Sequence, residues 1–428
     1  MVNNNIEWLV LNLSLGLFAG PKMFVLYQFF GGDNIWSNIL WLVMFVVFML
    51  FYPRLIIAQM LWKLEQSASM IENMTSKAKN IVIKRVSKKP SKTLKTSVGN
   101  FLGFFTIQPI SLDPYGIVKK IEHIMDMSEE RFEYFVDQIA PQMNKEQKQN
   151  VMMGLSGAVS LNGIAKLVRH FVETVRKTKN LQMALILQMQ LPMIERISKA
   201  LLSGTEALSE GWPIGDAIGN LTAAHFVGKN KMKEYEKDVM LTTKQVGKRK
   251  VFVMKARGPG GRLGKIGKAV DKLISNNKIA KIITIDAAAK LEGEKTGTIA
   301  EGVGVALGGI GVDRTYIEDI AVKKKIPLDS VVIKMSQEEA IQPMKKEILA
   351  SVPQVLRIVG ERIKATNGSG AVLVLGVGNS CGIGNSKAAA EEAEKLIKRV
   401  MAQMKVREEK MKKKKGKKKK LADLFWGG

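Results

Sequence analysis

Two aspartates stand where a fold of strands and helices would expose a carboxylate to a ligand. Asp286 closes the apolar run IAKIITID, 279–286. In open α/β sheets, ligand and catalytic groups gather beyond the carboxyl ends of strands. Asp216 lies in PIGDAIG, 213–219, where a glycine-containing turn leads into a predicted helix. An aspartate there reads in two ways. It is an N-cap accepting helix N–H groups, or it is half of a carboxylate pair with Asp286. Two carboxylates sharing a site cannot both ionise easily, so one pKa rises. The ionised one then acts as base on a water and the protonated one as acid. Gly215, Gly219, Gly378 and Asn379 are the candidates for shaping the turns and positioning a substrate. Cys381 sits in GVGNSCGIGN, 376–385, near a predicted helix start that would lower its pKa. A thiol nucleophile needs a base, and no histidine lies near it in the chain. The glycine spacing there is not GxGxxG, so a tight turn with close backbone packing is the plainer reading than a dinucleotide loop. Lys255, Arg257, Arg262 and Lys265 surround Gly258-Pro259-Gly260-Gly261. They read as a solvated loop, or as an anion site at a helix start. His123, His170 and His225 are widely spaced and form no ligand motif, and no metal or cofactor is expected.

Several of these segments resemble known families. GDAIGNLTAAHF, 215–226, resembles the acidic loop-to-helix motif of hydrogenase maturation proteases and of the spore germination protease. KIITIDAAAK, 281–290, is similar to their second motif, a strand ending in aspartate. The stretch 295–335 is similar to the glycine-rich segment, helix and strand of the germination protease. AVLVLGVGN, 371–379, resembles the opening strand and Gly-Asn turn of these families. There that strand precedes the acidic loop; here it follows it, so the resemblance over about 210–400 implies a circularly permuted order. It implies a peptidase-like hydrolase in which Asp216 and Asp286 cleave a peptide bond of a protein substrate. The maturation enzymes bind metal with two acids and a histidine. No histidine follows Asp286, so that triad is incomplete. The whole chain also resembles an uncharacterised family of archaeal membrane proteins.

These residues need a scaffold. Strand candidates are 251–255, 279–286, 330–335 and 371–377, with helices near 265–277, 315–325, 344–365 and 385–404. Short apolar strands between amphipathic helices predict a parallel or mixed α/β sheet over 209–404. Ser336-Gln337-Glu338-Glu339 has capping-box spacing. Residues 112–208 read as a helical domain. Asp113-Pro114 marks one helix start and Ser128 another, and LQMALILQMQLPMI, 181–194, is read as core.

The 428 residues carry a net charge of +27 and one cysteine, which excludes an intrachain disulfide framework and a multi-cysteine zinc site. Residues 34–53 are 20 without charge, and at about 1.5 Å per residue they match the roughly 30 Å hydrocarbon layer. A transmembrane helix is predicted over about 35–57, preceded by a kinked one over about 6–30 with a tight turn between, a hairpin in residues 1–60. Residues 61–100 hold nine Lys/Arg against two Glu. The positive-inside bias therefore places the bulk of the chain, and both termini, in the cytoplasm. Residues 61–111 read as a juxtamembrane helix and a basic linker near anionic head groups. The tail has 11 Lys/Arg in 405–420, among them Lys412, Lys413, Lys414, Lys415, Lys417, Lys418, Lys419 and Lys420. Like charges at that density predict disorder over 405–428. The second function this predicts is a non-catalytic membrane scaffold. It would bind anionic lipid, ribosomal RNA or a protein partner through its basic segments, without sequence-specific recognition of nucleic acid.

Overall fold

The computed structural model describes residues 35–107, 109, 116–305 and 311–426. The predicted helix over 6–30, the turn after it and the Asp113-Pro114 start lie outside them. The helical half contains α1 (Ile35–Val86), α2 (Lys92–Phe101), α3 (Ile117–Ile139), α4 (Lys145–Thr178) and α5 (Leu181–Glu210). The membrane and juxtamembrane helices expected separately are one helix, α1, because no Gly or Pro follows Pro53 before Val86. The basic linker is partly helical. Ser91 caps α2 by accepting the Leu94 N–H at 3.1 Å. Ser128 starts nothing. It lies inside α3, whose apolar spacing continues through it to the buried Phe132 and Val136.

Two described helices are long and apolar enough to cross a membrane, Ile39–Val86 and Lys145–Thr178. Their surroundings differ. The most apolar window of the first is wholly unburied, whereas 44% of that of the second is buried in protein.

The chain divides into two compact units. One comprises the described residues up to Ser67 with Arg169–Leu191, the other Ala68–Val168 with the chain from Pro192 onward. In the first, Glu65 pairs with Arg169 and Arg176, each at 2.5 Å. In the second, α1 contributes Ala68, Ile71, Met74, Ala78 and Val82 to the core, and α4 contributes Val151, Leu155, Ala158, Leu161 and Ala165. Both sets recur at three- and four-residue intervals, the spacing of a helical face that must be covered.

The same unit holds a seven-stranded mixed sheet, ordered β1-β2-β3-β7-β4-β6-β5. The strands are β1 (Lys233–Glu236), β2 (Val239–Val246), β3 (Arg249–Ala256), β4 (Ile279–Ala289), β5 (Ile299–Val303), β6 (Leu328–Met335) and β7 (Ala371–Gly376). The four strands predicted from sequence are its central parallel set, β3, β7, β4 and β6. β1, β2 and β5 were not foreseen; they pair antiparallel at the two sides. The helices are α6 (Ile218–Val227), α7 (Ile266–Asn276), α8 (Val312–Lys324), α9 (Gln337–Ile341), α10 (Lys346–Leu349), α11 (Val352–Lys364) and α12 (Lys387–Trp426). The predicted capping box is present, with Ser336 accepting from the Glu339 N–H and Glu339 from that of Ser336. The helix expected over 344–365 is two, α10 and α11, with Pro353 at the start of the second.

Alternation along the strands sorts the core into two faces. Val251, Val253, Ile283, Ile285, Val372 and Val374 pack with α6, α11 and α12. Phe252, Met254, Ile282, Leu373 and Leu375 pack with α7 and α8. Helix α12 runs on through the lysine-rich stretch expected to be disordered. Lysine is a good helix former, and extending an existing helix avoids the cost of nucleation.

Candidate functional site

At the carboxyl ends of β3, β7 and β4 the connections part. β7 leads to α12 on one face, while its neighbour β3 leads to α7 on the other. Such a divergence opens a crevice in α/β sheets, and all the sequence-predicted site residues except the tail lysines lie around it.

Helix α6 lies directly on the strand ends because two glycines permit it. A Cβ at Gly219 would collide with the carbonyls of Ile285 and Val377, and one at Gly376 would meet Ala223 at 2.5 Å. Gly215 is held equally close to the Glu339 carbonyl. The 3-10 turn Gly215–Ala217 precedes α6 and presents Asp216 to the turn after β7. There Gly378 has φ +103° and no room for a Cβ against the Asp216 carbonyl. The Asn379 N–H donates to Asp216 Oδ2 at 2.8 Å. Burial pushes the Asp216 carboxyl above the ordinary aspartate range, and the Asn379 bond partly offsets it. Asp216 thus accepts from an N–H 163 residues away in the chain, rather than capping its own helix, where no side-chain cap bond forms.

Asp286 is buried in β4, its Oδ1 accepting from the Ala287 N–H at 2.7 Å. Its neighbours Ile285 and Ala287 face the α6 layer. Alternation therefore turns Asp286 towards the face of α7 and α8, while Asp216 comes in on the α6 side. The two acids are gathered at one end of the sheet but approach it from opposite faces.

Three polar side chains not singled out as site candidates tie the crevice together. Asn220 is fully buried. It donates to the Gly378 carbonyl at 2.5 Å and accepts from the Ala256 N–H at 3.0 Å, stitching the ends of β7 and β3. Asn385 bonds the Gly258 N–H and carbonyl at 3.0 and 2.8 Å. Asn150 of α4 accepts from the Gly261 N–H at 2.9 Å. Asparagines are common in loops and turns, so nothing in their spacing announced these bonds.

The basic glycine loop corrects the sequence reading. It is not a solvated loop. Lys255 is fully buried, and its Nζ donates to the Ala256 carbonyl at 2.7 Å and to Asn385 Oδ1 at 3.0 Å. Burial pushes its pKa down to about 7. Arg262, 4% exposed, meets Glu146 at 2.5 Å and Asp238 at 2.9 Å. Glu146 also accepts from the Gly260 N–H at 2.7 Å and is held below the ordinary glutamate range despite its burial, by Arg262 first and then by that N–H. Cys381 is a second correction. Its thiol is buried beside Asn150 Oδ1 and the Leu208 carbonyl, and burial pushes its pKa up to about 12, away from reactivity.

Beyond this loop lies a cavity of about 400 Å³, lined by Glu122, Asp126, Glu129, Phe132, Arg262 and Asp313 among others. Burial raises the pKa of Glu129 and Asp313. Among the described residues no group of three or more His, Cys, Asp and Glu side chains could hold a metal ion.

The chain matches two family descriptions. Residues 38–211 match the protein of unknown function (DUF1512) N-terminal domain, and residues 214–384 match the domain of unknown function (DUF1512) C-terminal. It is therefore a DUF1512 protein with both domains in order. No curated protein and no solved structure matches it.

Proposed function

We propose that the chain is a membrane-anchored protein that holds its α/β unit at the cytoplasmic surface of the bilayer and serves there as a binding scaffold. The observation that carries this is the apolar start of α1. Leu40, Leu42, Val43, Phe45, Val47 and Leu50 are each about half exposed or more among the described residues. Leaving such a run in water forfeits about 1.5–3 kcal/mol per large side chain, which a bilayer recovers. The basic residues between Lys84 and Lys95 and the lysines of 405–420 supply attraction to anionic head groups, and their side of the membrane is the cytoplasmic one. Alkaline carbonate extraction of membranes from cells making the full chain tests it. The protein should stay in the pellet, and Val43→Asp with Val47→Asp should release it. Release of the unaltered chain would overturn the proposal.

A second reading, aspartate-dependent hydrolysis of a protein substrate, has one observation in its favour. The turn after β7 and the turn opening α6 form one piece through the Asp216–Asn379 and Asn220–Gly378 bonds. That junction is what a permuted protease order requires. Against it stand the opposite approach of the two acids and the backbone filling the crevice at Gly219 and Gly378. A substrate-trapping pulldown with Asp286→Asn decides. Captured protein that the unaltered chain cleaves supports hydrolysis, and equal capture without cleavage leaves only binding.

A further inference from the structure

We infer that the α4–α5 hairpin is a second membrane contact, its tip seated among anionic lipid head groups beside α1; this rests on the membrane reading above. Thr75 Oγ1 reaches the Leu161 carbonyl at 3.5 Å, and farther along Glu65 meets Arg169 and Arg176. Each step down α1 is thus matched by a step up α4, and the two helices are antiparallel. Extending that register brings the tip, Lys179-Asn180, alongside the region of Ile57. The burial pattern agrees independently. α1 is exposed through Leu55, apart from Trp41 and Tyr52, among residues whose side chains are described, and becomes half-buried at Ile56 and Ile57.

Nineteen residues from Ile39 to Ile57, at about 1.5 Å each, equal the thickness of the hydrocarbon layer. The hairpin tip therefore lies at the boundary between hydrocarbon and head groups. What it presents there suits that boundary. Lys177 and Lys179 are exposed on one side of the tip, next to Arg176, which is paired with Glu65 and Glu173. Leu185 and Ile186 are 43% and 55% exposed on the other, one to two turns into α5. Ala184 and Leu187 point inward and are buried, so the outward apolar pair is not left over from the core face. A cationic tip next to outward aliphatic side chains is the pattern of an interfacial anchor.

The test uses the full chain, one copy per nanodisc, with anionic lipid. Ile186→Cys carries an environment-sensitive fluorophore, and Leu42→Cys carries it in a parallel sample. The native Cys381 is buried and stays unlabelled in folded protein. Lipids spin-labelled near the head group should quench the Ile186 probe about twofold, and lipids labelled at the chain end should not. Lys177→Glu with Lys179→Glu should remove that quenching. An unquenched Ile186 probe beside a quenched Leu42 probe would overturn the hairpin contact while the anchor stands. A Leu42 probe that no lipid quenches would overturn both. An Ile186 probe shielded from a soluble quencher yet insensitive to lipid labels would show protein covering it, which also defeats the inference.

Discussion

Lys255 offers the most quantitative test of the fold. Its ammonium has no carboxylate among its hydrogen-bond partners, only the Ala256 carbonyl and the Asn385 amide oxygen. In the unfolded chain it titrates at the ordinary 10.5, in the folded chain at about 7. The folded state therefore binds fewer protons than the unfolded state between those two values, and stability rises with pH across that window. Below about pH 7 both states are protonated and the full penalty of a buried charge is present. At about 1.36 kcal/mol per pH unit, the displacement amounts to about 5 kcal/mol. Lys255→Met removes the titration and also strips two acceptors of their donor, which costs about 1–3 kcal/mol at every pH. The slope, not the offset, is the diagnostic. Urea unfolding of both proteins in the same detergent from pH 6 to 10.5 should show the unaltered chain gaining on the variant by several kcal/mol above pH 7, with no divergence below it. Parallel curves over the whole range would refute the claim that Lys255 is neutral when folded at high pH.

Other expectations follow from the same crevice. Gly378→Ala forces a Cβ onto the Asp216 carbonyl at a positive φ and should lower stability by about 2–4 kcal/mol, read as a fall in Tm. Arg262→Met leaves Glu146 and Asp238 without their buried cation and should cost about 3–5 kcal/mol, seen in denaturant midpoints at pH 7. The loss should shrink at low pH, because Glu146 is held below its usual range and its stabilising charge disappears as pH falls through that lowered value. Iodoacetamide at pH 8 should leave Cys381 unmodified in folded protein and alkylate it after denaturation, as mass spectrometry would show.

What the sequence revealed and what it hid have separate physical causes. Strands β3, β4, β6 and β7 are buried on both faces, so they stand out as continuous apolar runs. β2 and β5 carry Thr243, Lys244, Gln245 and Glu301 toward partly open surfaces, and no such run marks them. The apolar start of α1 was legible from composition alone, since no charge interrupts 34–53. The environment of the basic loop was not. Lys255 and Arg262 look like surface residues until Asn385, Glu146 and Asp238 are brought to them from 130, 116 and 24 positions away. For the same reason Cys381 could be placed in a turn but not known to be buried. Asp286 was expected at the end of a strand and lies in β4, and Asp216 was expected in a turn opening a helix and lies in the 3-10 turn before α6. The face each would occupy depended on the register of β4 against β7, which no local pattern encodes.

The pairing of Arg262 with Glu146 and of Gly261 with Asn150 has a practical meaning for anyone dividing this gene. The two DUF1512 regions meet between residues 211 and 214, which looks like a natural place to cut. Yet the helices before that point furnish the groups that close the loop after β3, inside one compact unit. A clone beginning at 214 would inherit a guanidinium short of one carboxylate, a thiol opened to water and a glycine-rich segment without its clasp. Inclusion bodies rather than a crystallisable fragment are the expected harvest, and inheritance of the halves as a single reading frame is the arrangement that the chemistry enforces.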